Sequence, residues 1–313
     1  MLFFTVLWQL VALMLIAAVG VLLTKLKIID GELTKGMGNV MTKACLPCLL
    51  ISNMQIEYNK STLGIMGSAA GGFLLVMIIS AALIMPVILI KKSDLTETGI
   101  LIICASFPNV VYVGRPLLEA IYGDAVKIPI TIITLVFSNT VFSMGVLLAT
   151  MGNKAENNGV GGLLKKSFIN PSVISGVIGI LLFLFSVKIP GPILTPMKLM
   201  SGMITPLSMI IIGYSLTQTK LKEIIGDWRV YAVAFVRLIL TPVAVFFLLS
   251  PIISNQVILG TLTVGASLPV GANAGVVARL YNNNPVFAAN CIFMSTLLCL
   301  VTTPVIVSIL LSI

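Results

Sequence analysis

A few polar side chains within two long apolar stretches have the chemistry needed to bind an anion. Asn109, Arg115 and Glu119 lie in SFPNVVYVGRPLLEAIYG, and Asn273 lies in SLPVGANAGVVARLY. A guanidinium contacts a carboxylate bidentately, and an asparagine amide both donates and accepts hydrogen bonds. Arg115 and Glu119 are four residues apart, so an internal ion pair on one helical face is the alternative. Glu119 is also the sequence's candidate for a proton site, because it is the carboxylate clearly inside an apolar segment.

Two further cations, Lys43 and Arg237, also fall within apolar segments. A cation inside a bilayer is costly unless it is paired, hydrated or able to reach the interface. Together with Arg115 there are three such cations and one nearby acid, Glu119. This excess of positive charge favours an anionic ligand, or a role of these charged residues in charge support or coupling. The alternative for Lys43 and Arg237 is structural, with side chains that reach the interface or join helices. Both interpretations stay open at the level of sequence.

The absence of histidine argues against an enzyme. The sequence contains none, which removes the most common general base and metal ligand. It also contains no Gly-x-Gly-Asp aspartyl motif and no phosphate-binding P-loop. We therefore expect no catalytic residues, no metal and no cofactor.

The elements that position these residues are membrane-spanning helices. Of 313 residues, 58% are hydrophobic and 9% are charged, and the mean hydropathy is +1.13. A soluble domain has about one quarter charged residues, and apolar runs of about 20 residues match a hydrocarbon core of roughly 30 Å. The sequence predicts an all-α polytopic membrane protein with ten transmembrane helices. The predicted spans are Leu2 to Leu23, Gly36 to Gln55, Leu63 to Ile90, Thr98 to Tyr122, Ile128 to Met151, Phe168 to Val187, Ile193 to Leu216, Trp228 to Ser250, Ile252 to Leu280 and Pro285 to Leu311.

Basic residues in the loops predict the orientation of these spans. Lysine and arginine are concentrated in loops after odd-numbered spans, and positive loops mark the cytoplasmic side. Both termini are therefore expected outside, with residues 152–167 as a cytoplasmic linker, in the plasma (inner) membrane. The net charge of +9 is scattered over short loops, so we expect no nucleic-acid partner.

The two halves of the chain, residues 1–151 and 168–313, share sequence features in the same order. Ala105-Ser106-Phe107-Pro108 in span 4 recurs as Ala266-Ser267-Leu268-Pro269 in span 9. Because each half has five spans, an odd number, the second copy must be inverted in the membrane. A 5+5 inverted repeat is typical of secondary transporters, whose substrates bind where broken helices meet near the midplane.

Spans 4 and 9 contain the residues expected to break a helix. They are Pro108, Gly114 and Pro116 in span 4 and Pro269 and Gly271 in span 9. Proline removes a backbone donor and disfavours helix at the preceding residue, so we expect unwinding from Asn109 to Arg115 and around Pro269. The alternative is that these residues only kink packed helices. Two interruptions at matching positions favour broken helices 4 and 9 that cross near the midplane.

These motifs resemble the auxin efflux carrier family, which includes PIN-FORMED carriers and bacterial malate and malonate permeases. The similarity rests on SFPNVVYVGRPLLEAIYG, Asn170-Pro171, Thr205-Pro206-Leu207-Ser208, Gly213-Tyr214-Ser215-Leu216 and SLPVGANAGVVARLY, which span nearly the whole chain. The resemblance implies a ten-helix carrier with a scaffold and a transport domain. It also implies that Asn109, Pro116, Pro269 and Asn273 are crossover residues at the substrate site. Pro108 and Arg115 depart from the family pattern, which usually has small or apolar residues there.

The predicted function is transport of small organic anions by alternating access. Substrate would bind at the crossing of helices 4 and 9, contacting Asn109, Gly114, Arg115, Pro116, Pro269 and Asn273. The expected partners are a carboxylate such as an auxin-like or malate-like acid and the lipid bilayer, and the sequence leaves a homodimer open. The alternatives are a sodium- or proton-coupled exchanger or symporter of the same architecture with a different solute, and a passive pore.

Overall fold

The computed structural model describes residues 2–56, 59–151, 171–218, 226–281 and 283–312. Within these residues the regular structure is helical, apart from one isolated β-bridge between Pro108 and Val270. Three features of the sequence lie outside the described residues. They are the predicted linker 152–167, Asn170 of the family motif, and the lysines at positions 220 and 222.

The described part of the first half of the chain forms eight α-helices. They are α1 (Leu2–Lys25), α2 (Gly31–Val40), α3 (Leu46–Asn53), α4 (Lys60–Lys91), α5 (Leu95–Ser106), α6 (Arg115–Tyr122), α7 (Lys127–Thr140) and α8 (Val146–Thr150). Short π-helical turns join α2 to α3, precede α6 and join α7 to α8, and a 3-10 turn, Gly123–Val126, joins α6 to α7.

The described part of the second half also forms eight α-helices. They are α9 (Pro171–Leu184), α10 (Gly191–Gly202), α11 (Ile204–Thr217), α12 (Trp228–Phe235), α13 (Thr241–Leu249), α14 (Gln256–Ala266), α15 (Ala272–Leu280) and α16 (Pro285–Leu310). A π-helical turn joins α12 to α13.

Among the described residues, six helical segments are long and apolar enough to cross a membrane. They are Leu2–Lys25, Lys60–Lys91, Val110–Thr150, Gly191–Thr217, Trp228–Leu249 and Pro285–Leu310. The helices α5, α9 and α14 are apolar but shorter. In α5 and α14 the reason is local, since each ends two or three residues before a proline. The structure therefore shows an all-helical fold with six such segments, and the count of ten crossings stays a prediction.

Prolines explain three of the described π-helical turns. The turns Met41–Cys45, Val110–Gly114 and Val236–Leu240 each end two residues before a proline, at Pro47, Pro116 and Pro242. Proline has no N–H for the carbonyl four residues earlier, and its ring crowds that carbonyl. In the wider turn the residue before proline donates five residues back, as Arg115 N–H does to the Val110 carbonyl. The prediction of unwinding from Asn109 to Arg115 was therefore wrong for most of that range, because the chain is helical again from Val110.

Close helix packing joins the two halves of the chain. Helix α1 packs against α11, and α3 packs against α9 and α10. A Cβ on Gly213 would overlap the Ala17 carbonyl, and one on Gly20 would overlap the Ile210 carbonyl. Small residues that let backbones approach in this way are the usual contacts between helices in membranes.

A charged cluster ties the α4–α5 loop to the start of α12. Asp227 accepts hydrogen bonds from the Arg229 backbone N–H at 3.1 Å and from Arg229 Nε at 2.7 Å. Glu97 pairs with both Arg229 and Lys91, and the Arg229 guanidinium lies 4.9 Å from the centroid of the Phe287 ring. The cluster therefore connects three segments that are distant in sequence.

We expect acid to weaken this cluster. Burial raises the pKa of Asp227, but hydrogen bonds from Arg229 and the charges of Arg229 and Lys91 outweigh it and hold the pKa below its ordinary value. Such a carboxylate stabilises the fold fully above its unfolded pKa of about 3.9, and that stability is lost as pH falls through the folded pKa. Melting temperatures between pH 6 and pH 3 should therefore fall less steeply for Asp227→Asn than for wild type. Asp124→Asn, at an exposed pair with Lys127, should melt like wild type at every pH.

Candidate substrate site at the paired helix interruptions

Two interruptions of the helical backbone meet in the interior of the protein. Helix α5 ends at Ser106 because Pro108 cannot continue it, and α14 ends at Ala266 before Pro269. Asn109 N–H donates to the Pro269 carbonyl at 2.9 Å, and Gly271 N–H donates to the Phe107 carbonyl at 2.8 Å. The two unwound segments thus pair in antiparallel fashion and satisfy each other's backbone, as buried unwound segments must.

Hydroxyl groups of α16 hold the second interruption in place. Ser295 Oγ accepts a hydrogen bond from Val270 N–H at 3.0 Å, and Thr303 Oγ1 donates to the Ser267 carbonyl at 2.8 Å. Sequence reasoning missed both residues. The available signal was weak, since serine and threonine also occur in apolar helices merely bonded to their own backbone.

The side chain of Arg237 also connects both interruptions. Its side chain is fully buried. Nε donates to the Leu268 carbonyl at 3.1 Å and Nη2 donates to the Gly265 carbonyl at 3.0 Å. Nη1 donates to the Ala105 carbonyl at 3.0 Å and to Ser80 Oγ at 3.3 Å. In the described structure the guanidinium therefore joins helices, as one sequence interpretation expected.

The helix ends at Ser106 and Ala266 explain why these carbonyls need a side-chain donor. The helical partner of the Gly265 carbonyl would be the N–H of residue 269, which is a proline and has none. The helical partner of the Ala105 carbonyl would be Asn109 N–H, which donates to Pro269 instead. Arg237 supplies the donors that the two interruptions remove.

Asn109 and Asn273 lie where the chain becomes helical again. Asn109 precedes the turn Val110–Gly114 and is 3% exposed, and Asn273 lies half-buried in the first turn of α15. Neither side-chain amide hydrogen-bonds to another described residue, although the Asn109 backbone is fully engaged. No side chain caps the first N–H groups at either start. The paired interruptions thus bring two uncapped helix starts and two free amides into one region.

The glycines at the interruptions allow close packing. The absent side chain of Gly114 leaves room for Leu268, which a Cβ there would overlap. A Cβ on Gly271 would lie 2.9 Å from the Pro108 carbonyl oxygen and 3.1 Å from that of Phe107. The close contact at Gly271 is therefore with backbone atoms, whereas the one at Gly114 is with the end of the Leu268 side chain.

A family model for membrane transport proteins matches residues 5–307, which is nearly the whole chain. The chain belongs to this family. The match confirms the resemblance to the auxin efflux carriers and, with the apolar helices, identifies an integral membrane transport protein. No curated protein matches the sequence significantly.

The remaining candidate residues of this transport protein are Arg115, Glu119, Pro116 and Lys43. Arg115 Nε donates to Glu119 Oε1 at 2.8 Å on α6, with side chains 15% and 34% exposed. This is the internal ion pair that the spacing allowed. Pro116 is the second residue of α6 and directly follows the π-helical turn Val110–Gly114, which accommodates its missing N–H. Lys43 is exposed in the turn Met41–Cys45 and pairs with no described carboxylate, so its geometry fits a side chain that reaches the interface.

Proposed function

We propose that this membrane transport protein is a secondary transporter of small organic anions, working by alternating access. The carboxylate binds beside the paired interruptions, between the starts of the turn Val110–Gly114 and of α15. In this proposal the ten predicted spans form a 5+5 inverted repeat, the interruptions cross near the membrane midplane, and both termini lie outside.

The observation that carries the proposal is the amide of Asn109, a residue 3% exposed, which has no hydrogen-bond partner among the described residues and lies beside two uncapped helix starts. The start of a helix carries roughly half a positive charge and free N–H donors, which together favour an anion. A ligand oxygen that accepts a hydrogen bond from this amide is shielded from bulk water, where such a bond is electrostatically stronger. In membrane transporters, half-helix starts directed at an anionic group are a recurring form of substrate site.

The first experiment compares melting temperatures of the purified protein across monocarboxylates, dicarboxylates and indole acids. A ligand that binds the native state raises the melting temperature in a saturable way. We expect one acid class to do so and then to show counterflow in proteoliposomes, which separates a carrier from a pore. Stabilisation by sodium or a neutral solute and by no acid would contradict the proposal and support the coupled-exchanger alternative.

We expect Asn109→Ala and Asn273→Ala to reduce transport about tenfold or more, since each removes an amide worth on the order of 1.5 kcal/mol to a charged ligand. Initial rates in proteoliposomes, normalised to inserted protein, measure the effect. Asn53→Ala is the matched control, because Asn53 donates to Thr131 on α7, away from the interruptions. Transport at the control rate by both variants would remove these residues from the site.

The pair of Arg115 and Glu119 gives a separate prediction. If Arg115 also contacts the carboxylate of the substrate, Arg115→Gln should weaken substrate binding about tenfold, because a charge-assisted hydrogen bond is lost. Glu119→Gln should tighten binding, since it releases the guanidinium from its internal acceptor. Thermal titrations with the stabilising acid provide both affinities. Equal and unchanged affinities would show that the pair is only internal.

A further inference from the structure

Four helix ends meet at the paired interruptions, and their charges are of opposite sign. The ends of α5 and α14 present carbonyls, and the starts at Val110 and Ala272 present N–H groups. Each carbonyl end carries roughly half a negative charge and each start roughly half a positive one. Without another group, the region would attract a cation on one side and an anion on the other.

Arg237 occupies the carbonyl side. Its guanidinium is surrounded by three backbone carbonyls and the Ser80 hydroxyl. We call the carbonyls of Ala105, Gly265 and Leu268 the carbonyl cluster. These are neutral oxygen acceptors, and no described carboxylate forms an ion pair with Arg237. Oxygens at the ends of broken helices are also the groups that bind a coupling cation in other transporters. One guanidinium charge matches the sum of two helix ends, roughly one negative charge.

We propose that Arg237 is the permanent cation of this crossing, filling the position where a mobile monovalent cation would otherwise bind. Four of its five N–H donors are used by groups on other segments, and the side chain is covalently attached to the chain, so the charge stays in place. The carbonyl ends are neutralised, and the two positive helix starts remain for a ligand. The crossing therefore selects anions and has no sodium site at the carbonyl cluster. The anion half of this inference rests on the proposed function, whereas the cation half does not.

The test uses three proteins without any acid present: wild type, Arg237→Ser and Arg237→Met. Serine is shorter than arginine and leaves a space beside the carbonyl cluster, lined also by the serine hydroxyl. A hydrated or bare sodium ion can enter this space. Methionine removes the same charge but fills the space with an apolar chain. Recovery from detergent and melting temperature are measured in sodium chloride and in N-methylglucamine chloride at equal ionic strength. Arg115→Ser is the control for loss of an arginine that donates to a carboxylate rather than to the carbonyl cluster.

We expect wild type, Arg237→Met and Arg115→Ser to respond equally to the two salts. Arg237→Ser should gain a saturable sodium-specific rise in melting temperature of about 2–4 °C, or recovery only in sodium. A saturable sodium effect on wild type would overturn the proposal, as would a serine variant whose recovery and melting both ignore sodium. An absence of acid binding by wild type in the separate ligand panel would count against the proposed function and leave these cation results intact.

Discussion

Arg237→Met should lower the melting temperature of the purified protein by roughly 10 °C, or prevent its recovery, because a buried donor group worth about 3–5 kcal/mol is removed. In other proteins, a buried charged side chain can be replaced by an apolar one when the residues that pair with it are also replaced. Here three of the partners are backbone carbonyls, at Ala105, Gly265 and Leu268, and no substitution removes them. Each is left in the interior without a donor.

Two further variants separate this cause from a general effect of losing an arginine. Arg237→Lys keeps the charge but provides three donors from one point, so its melting temperature should lie between those of wild type and Arg237→Met. Arg279→Met changes an exposed arginine in the last turn of α15 and should melt within about 2 °C of wild type. Equal melting of the Arg237 and Arg279 methionine variants would show that the carbonyl contacts contribute nothing.

The sequence predicted breaks in spans 4 and 9 from proline and glycine, because these residues act locally on the backbone. Helices α5 and α14 end two and three residues before Pro108 and Pro269, which have no N–H to continue them, whereas Pro86, Pro196 and Pro304 lie inside helices that continue. The tetrapeptide repeat then placed the interruptions at matching positions. The same local rule failed at Pro116, where a π-helical turn accommodates the proline and the chain does not unwind. Residue type does not show which response a helix makes, because the surrounding packing decides it.

The partners of Arg237 could not be predicted in the same way. Its acceptors are mainly carbonyls, which every residue has, and Ser80 is 157 positions away. Only the folded chain shows that two helix ends lie within reach of one guanidinium. The resemblance identified Asn109 and Asn273 by their motifs, but the absence of a hydrogen-bond partner for the Asn109 amide among the described residues is a property of the fold.

Gly271 is the residue on which the distance between the two interruptions depends. Its N–H donates to Phe107 at 2.8 Å, and a Cβ would lie 2.9 Å from the Pro108 oxygen. Its φ of −70° suits any residue, so backbone freedom is not why glycine is required. Both contacting atoms belong to backbone, which cannot rotate away as a side chain does. An added methyl group must therefore push the two unwound segments apart and weaken the bonds between them.

Gly271→Ala should consequently reduce transport tenfold or more and cost about 1–3 kcal/mol of stability through overpacking. Gly265→Ala is a matched control in the same span, because a Cβ there meets no atom within 4 Å. Alanine in that helical position should leave transport unchanged and add about 0.5–1 kcal/mol of stability. Initial transport rates and melting temperatures of the two variants measure both effects. Since each variant adds one methyl group, a loss of transport confined to Gly271→Ala would assign the effect to the contact between the interruptions, whereas equal rates would show that transport tolerates their separation.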